Sequence, residues 1–254
     1  MGAQNFMMLP AVTFTPLAGL GDNYLQISLL LNWAESQDSK IVIVFHSDGS
    51  IPPPEQRAVG AIYVQTELID LLMPSSKAIF ARLPARYLFP PNPAVVHALS
   101  PPVMFDRRLL PYYWPLNRNR FAQCAIPAKP YVAIAFDFVS HGRLKSFTDD
   151  EVDIIVGQIE AQGYQIVDVG GSRPLAEKAY IIDRAAAFVG GASGLAHLAS
   201  GLHTPAFIYL PETDLSEFWW YTDTLRLNGA HYQDGIRRPD GSGLNFDLHL
   251  PPLR

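Results

Sequence analysis

Apolar and polar positions follow two periods along this chain. Met7 to Phe14 is an apolar run, and Ala18-Gly19-Leu20-Gly21-Asp22 predicts a turn after it. From Asn23 to Glu35, Leu25, Leu29 and Asn32-Trp33 recur at helical spacing. Ile41 to Phe45 (IVIVF) is β-branched and apolar throughout, which suits a strand buried on both faces of a parallel sheet. Strand, helix and strand in this order make a βαβ unit. Ala61 to Val64 and Ala78 to Phe80 predict short strands around a small helix, Glu67 to Met73.

The second half repeats the rhythm. Tyr131 to Phe136 predicts a strand. Thr148-Asp149-Asp150-Glu151 opens a helix: the threonine can cap, the glutamate stands three residues on, and the acids suit the positive end of the dipole. Ile154, Ile155, Gln158 and Ile159 continue it to Gly163. Tyr164 to Val169 predicts a strand, Leu175 to Arg184 a helix, Ala186 to Val189 a strand, Ser193 to Ser200 a helix and Ala206 to Leu210 a strand. This alternation predicts an open parallel sheet with helices on both faces. The tail from Asn228 to Arg254, with Asp240-Gly241-Ser242-Gly243, reads as turns and a short strand.

Between the halves, residues 84 to 130 hold ten of the 22 prolines. Proline fixes φ and removes a donor, so long regular elements are not expected there. Tyr87, Phe89, Phe105, Tyr112, Tyr113 and Trp114 argue against a free linker and predict burial, in a cleft between lobes. The expected organisation is an α/β fold of two Rossmann-like lobes with a cleft between them, residues 1–125 and 126–254.

Composition narrows the classes. In 254 residues, 48% are hydrophobic and 17% charged, with eleven Tyr, fourteen Phe and four Trp, which excludes a disordered chain. Cys124 is the one cysteine, so a disulfide framework is excluded and a reducing cytoplasm is the expected location. A net charge of -5 disfavours a protein that coats nucleic acid. No apolar run is long enough for a membrane span, and MGAQNFMMLP lacks the pattern of a signal peptide. Gly2 is not a myristoylation start, because Phe6 stands where Ser or Thr is needed. The histidines and Cys124 form no zinc spacing, and no GxSxG elbow is present.

The segment richest in chemistry is Phe188-Val189-Gly190-Gly191-Ala192-Ser193-Gly194-Leu195-Ala196-His197-Leu198-Ala199. A buried strand is expected to end in Gly190 and Gly191, which let the backbone turn and a ligand approach. The helix that follows offers unpaired N–H groups and partial positive charge to a phosphate. Ser193 and His197 share one helix face, so His197 can donate to a phosphate or a sugar hydroxyl. An ordinary βα turn, with a capping serine and a partly buried histidine, reads equally well.

This stretch resembles the heptosyltransferase family of glycosyltransferases, the ADP-heptose:lipopolysaccharide group. Its Ser193-Gly194, His197, small-residue helix and Thr204-Pro205 match the family's pattern. Ala192 departs from it, standing where the family carries an acid that helps hold the donor. The likeness covers most of residues 8 to 46 and 130 to 213. It implies the GT-B arrangement of two lobes, with a nucleotide-sugar bound mainly in the C-terminal one. Arg143 and Lys145 stand where the family places a basic residue on the donor's phosphates; a solvated basic loop is the other reading. Asp22, in Gly19-Leu20-Gly21-Asp22, matches the family's proposed general base; an aspartate that only caps a helix is the alternative. Glu212 and Thr213 fall in a loop that reaches the donor in the family, which implies Glu212 on a ribose hydroxyl and Thr213 on a phosphate oxygen; both suit helix caps equally, Thr213 especially. Phe218-Trp219-Trp220-Tyr221 can stack on a base, or belong to the core.

The function expected from this likeness is metal-independent transfer of a sugar from a nucleotide-sugar to an acceptor hydroxyl. The donor is a co-substrate and no further cofactor is expected. Lobe closure would bring Asp22 to the donor site. The alternatives are a nucleotide or sugar-phosphate binding protein without transfer, and a nucleotide-sugar hydrolase or epimerase.

Overall fold

The computed structural model describes residues 11–14, 20–36, 38, 40–46, 67–83, 95–97, 112–136, 147–212, 224–238, 240 and 243–253. The chain divides into two compact units, Met1–Trp114 and Pro115–Arg254.

In the first unit, strands β1 (Ala11–Phe14), β2 (Ile41–His46), β3 (Ala78–Leu83) and β4 (Val95–His97) form a sheet in the order β3-β2-β1-β4. Every pairing is parallel. Helix α1 (Leu20–Glu35) links β1 to β2. It starts two residues before Gly21-Asp22 are complete as a turn, so the expected turn at 18–22 is helical from Leu20 onward. The first turn of a helix tolerates Gly and favours Asp, because its N–H groups need no intrahelical acceptor and carry partial positive charge. The small predicted helix is present, helical at 67–71. The predicted strand at 61–64 lies outside the described residues.

α1 is buried on most of its circumference, through Tyr24, Leu25, Ile27, Leu29, Leu30, Leu31 and Ala34. Residues 112–114 lie along it. Tyr24 and Tyr113 stack at 4.9 Å between ring centroids. The Tyr24 hydroxyl donates to the Trp114 carbonyl at 2.7 Å, and Ser28 Oγ accepts from the Trp114 amide at 2.9 Å. The Trp114 indole donates to the Met73 carbonyl. Tyr113 and Trp114 therefore pack on α1 and the 67–73 segment of their own unit. Tyr112 is exposed, against expectation. Tyr87, Phe89 and Phe105 lie outside the described residues.

The second unit holds β5 (Tyr131–Ala135), α2 (Asp149–Ala161), β6 (Gln165–Asp168), α3 (Leu175–Arg184), β7 (Ala187–Gly191), α4 (Gly194–Gly201), β8 (Ala206–Tyr209) and β9 (His231–Gln233). Its sheet runs β6-β5-β7-β8-β9, parallel throughout. The mixed α/β, parallel-sheet architecture expected from the alternation is present.

α2 is specified by its ends. Thr148 Oγ1 accepts from the Glu151 amide at 3.3 Å, and the Thr148 amide donates to Glu151 Oε2 at 2.8 Å. Gly163, at φ +84, takes the left-handed conformation that closes the helix, and its amide donates to the Glu160 carbonyl. Ile155 and Ile159 pack from α2 onto Val132, Ile134, Val189 and Tyr209. On the opposite face, the Tyr131 hydroxyl donates to the Ile181 carbonyl of α3 at 2.7 Å.

The tail joins the α2 face. Arg237 and Leu244 form an antiparallel bridge, and Gly243 just before it has φ +122. Gln158 on α2 and Gln162 at its C-cap, four residues on, each clasp the extended tail twice. Gln158 bonds the Phe246 carbonyl and the Leu248 amide; Gln162 bonds the Leu248 carbonyl and the Leu250 amide. Two amide side chains thus stand in for a neighbouring strand, and Leu248 is held in the core. Tyr164 adds a bond to the Pro251 carbonyl.

Candidate functional site

From β5 the chain runs outward to β6 on one side, and β7 starts the run toward β9 on the other. Open α/β sheets bind ligands beyond the carboxyl ends of their strands where the order reverses in this way. Ala135 is the register partner of Gly190, so the ends of β5 and β7 emerge side by side.

All five residues of β7 are buried. Gly190 and Gly191 lie inside the strand, paired with Ile208 and Tyr209 of β8. This corrects the expectation that they form the turn. A Cβ on Gly190 would fall well inside 3.0 Å of the Ala135 carbonyl oxygen. The glycine is there for the close approach of two strands, and its φ is not positive. The turn falls instead on Ala192 and Ser193. Ala192 is buried.

Ser193 is the N-cap of α4, in extended backbone at φ -136 and ψ 173. Its carbonyl accepts from the amides of Ala196 and His197. Its side chain makes no capping hydrogen bond. Ser193 Oγ is buried and has no hydrogen-bond partner among the described residues. His197 is fully buried four residues on, and Gly194 opens the helix between them. Tyr209, the register partner of Gly191, is a second buried hydroxyl with no partner among the described residues. Burial pushes its phenol far above the ordinary range.

Glu212 follows β8 at the same edge. Its Oε1 accepts from Arg237 Nη1 at 3.1 Å. The same guanidinium grips Glu151 with two bonds, Nε to Oε1 at 2.6 Å and Nη2 to Oε2 at 3.0 Å. Burial pushes the Glu151 carboxyl up, and the Arg237 bonds with the Thr148 amide more than reverse this, leaving it below its ordinary value. The hydrogen bond to Glu151 chiefly raises the Arg237 guanidinium. This carboxylate–guanidinium–carboxylate arrangement escapes sequence reading. Glu151 is legible only as a capping acid, and Arg237 lies 86 residues from it with no periodic signal.

Arg143, Lys145 and Thr213 lie outside the described residues, as does the Phe218-Trp219-Trp220-Tyr221 cluster. Asp22 is in the first turn of α1, and its side chain is outside the described part. The structure brings Gly190, Gly191, Ser193, Gly194, His197 and Glu212 to one edge of one sheet. Among the described residues no group of three or more His, Cys, Asp or Glu side chains is placed to hold a metal. None of their helices is long and apolar enough to cross a membrane.

No protein-family model matches the chain, and no curated protein matches it in sequence. Solved structures match its fold. One is the bacterial iron-containing dodecameric glycosyltransferase TibC from enterotoxigenic E. coli H10407, at a TM-score of 0.57 and 16% identity over 79% of this chain. Another is the dodecameric iron-containing heptosyltransferase TibC in complex with ADP-D-beta-D-heptose, at 0.57 and 14% over the same share. The chain spans 58% of the length of these two. A third is the glycosyl transferase family 9 structure from Veillonella parvula DSM 2008, at 0.50 and 10% identity, covering 88% of this chain and 85% of that one. The likeness to heptosyltransferases expected from the sequence is thus met in the fold.

Proposed function

We propose that the chain binds a nucleotide-sugar at the β7–α4 junction and transfers the sugar to an acceptor hydroxyl. The observation that carries this reading is Ser193. It occupies an N-cap position, yet its hydroxyl is kept out of capping at the edge where the strand order reverses. The first amides of α4 then face a ligand with their partial positive charge unspent, and a diphosphate oxygen is the natural acceptor for them. Arg143 and Lys145, which lie in sequence between β5 and α2, supply cations to the same diphosphate. Main-chain amides and cations together stabilise the departing diphosphate, in place of a divalent metal. Asp22 takes the proton of the acceptor hydroxyl. The fold shared with glycosyltransferases supports the assignment to this class, and the neighbour complexed with ADP-heptose makes a nucleoside diphosphate sugar the first donor to try.

A panel of nucleotide-sugars, read by thermal shift and then by product formation, tests the reading. A true ligand raises the melting temperature by mass action. Ser193→Ala and Lys145→Ala should each weaken binding, while Asp22→Ala should abolish transfer and leave binding intact. Failure of every nucleotide to raise the melting temperature would remove the reading.

Ala192 favours a second reading, binding without transfer. A buried methyl stands where the family carries a donor-holding acid. Tight nucleotide binding with no product from any acceptor pool would select it.

A further inference from the structure

We infer that Asn228 is a site of spontaneous covalent modification, closed by the native fold and opened by local unfolding, and that loss of its side-chain amide unlatches the edge strand β9. This chemistry is independent of what the β7–α4 junction binds.

Of the eight asparagines in the chain, Asn228 alone is followed by glycine. The pair sets a nucleophile beside an electrophile. The Gly229 main-chain nitrogen can attack Asn228 Cγ, and glycine has no Cβ to crowd the approach. The N–Cγ bond forms and the Cγ–Nδ2 bond breaks; the proton of the Gly229 nitrogen leaves with the amide nitrogen as ammonia. Water then opens the cyclic imide at either carbonyl. One product is aspartate. The other is isoaspartate, whose main chain runs through Cβ.

The fold holds the two reacting groups apart. Asn228 follows the helical turn at 224–227, and Gly229 ends that turn at φ +84. Asn228 Nδ2 donates to the Thr224 carbonyl at 2.8 Å, so the side-chain amide is held back along the helix, away from the residue that would attack it. The Gly229 amide donates to the Arg226 carbonyl at 3.0 Å, so the proton that must leave is engaged. The Ala230 amide adds a bond to the Leu225 carbonyl, and Leu225 is fully buried. Attack requires the Asn228 side-chain bond and the Gly229 bond to break together, which is a local opening of this turn.

Conversion removes what closes the turn. A carboxylate at position 228 has no donor for the Thr224 carbonyl, so two acceptors face each other. Isoaspartate also inserts a carbon into the main chain shortly before β9, the edge strand of its sheet. β9 leads into Gly235 and Arg237, whose amides bond the Glu212 and Pro211 carbonyls. The modified turn does not reclose, and the strand that depends on it loses its anchor.

The full chain, folded or unfolded in urea, is incubated in mildly alkaline buffer, and the peptide carrying residue 228 is followed by mass spectrometry for the change from amide to acid. Asp234-Gly235 nearby can rearrange only without that change in mass. The unfolded chain should convert, and the folded chain should convert more slowly by roughly thirtyfold, the combined worth of the two holding hydrogen bonds. Asn228→Gln should remove the signal. Leu225→Ala, which loosens the turn from beneath, should speed conversion of the folded chain by roughly tenfold. The converted chain, separated from the unconverted one by charge, should melt at a lower temperature. Equal rates in the folded and unfolded chains, or no conversion in the unfolded chain, overturn the inference. A Leu225→Ala variant that converts no faster than wild type overturns it as well. Should Leu225→Ala not fold, the wild-type chain in urea below its unfolding transition decides: faster conversion supports local opening and an unchanged rate overturns it. A converted chain that melts like the unconverted one overturns the unlatching of β9.

Discussion

Helices α2 and α4 begin at the same edge of the same parallel sheet, and their first turns are finished in opposite ways. At α2, Thr148 and Glu151 exchange hydrogen bonds, two more acids follow the cap, and Arg237 closes over the glutamate. The Glu151 and Val152 amides there are already taken by Thr148, and three acids make the turn unfavourable to an anion. At α4, Ser193 stands at the same cap position with a residue type equally able to close the end. It does not: the side chain makes no capping bond, and no acid lies in the first turn. One end is completed by its own side chains; at the other the serine hydroxyl has no partner among the described residues. Capping residues of the same class can end in either state, and only the hydrogen bonds tell them apart.

Four substitutions sharpen this contrast. The largest effect belongs to the strand that delivers α4. Gly190→Ala drives a methyl against the Ala135 carbonyl, and a backbone neighbour cannot yield as a flexible side chain does. A loss of about 3 kcal/mol in urea unfolding is expected; a change within about 0.5 kcal/mol would show that β5 and β7 can part without harm.

Glu151→Gln comes next, at about 2 kcal/mol near neutral pH, because it leaves Arg237 half-paired in a mostly buried place. Its pH dependence has a definite sign. Glu151 titrates below its ordinary value in the folded chain. Its contribution is therefore present above the unfolded value and is lost as pH falls through the folded one. The gap between wild type and Glu151→Gln should narrow below about pH 4.3. A gap that stays constant into acid would mean the charge is not what stabilises this end.

Thr148→Ala should cost about 1 kcal/mol, the usual worth of a cap. Ser193→Ala should be smallest in stability, within about 0.5 kcal/mol, since it deletes a hydroxyl with no partner among the described residues. Its effect should appear in nucleotide binding instead. Equal stability losses for Thr148→Ala and Ser193→Ala would erase the contrast between the two ends.

Much of this molecule was readable in advance because its signals are local. Leu175–Arg184 is helical over the very span that periodicity predicts, and the α2 cap is written in four consecutive residues. Gly190 misled, since a glycine pair after an apolar run looks the same whether it turns the chain or lets two strands close up. The tail was harder still. Its extended course rests on Gln158 and Gln162, roughly 90 residues away, which sequence pattern marks only as polar helix positions.

By itself, then, the sequence determined the alternating elements, their caps and the parallel α/β class, because each depends on side chains within a turn or a strand of one another. Tertiary structure decided which strands are neighbours, that Gly190 sits under a carbonyl, that Ser193 is left uncommitted, and that Arg237 bridges Glu151 and Glu212. Those outcomes depend on groups far apart in the chain, where neither spacing nor composition constrains who meets whom, and where burial sets the energy of each contact only after the fold has formed.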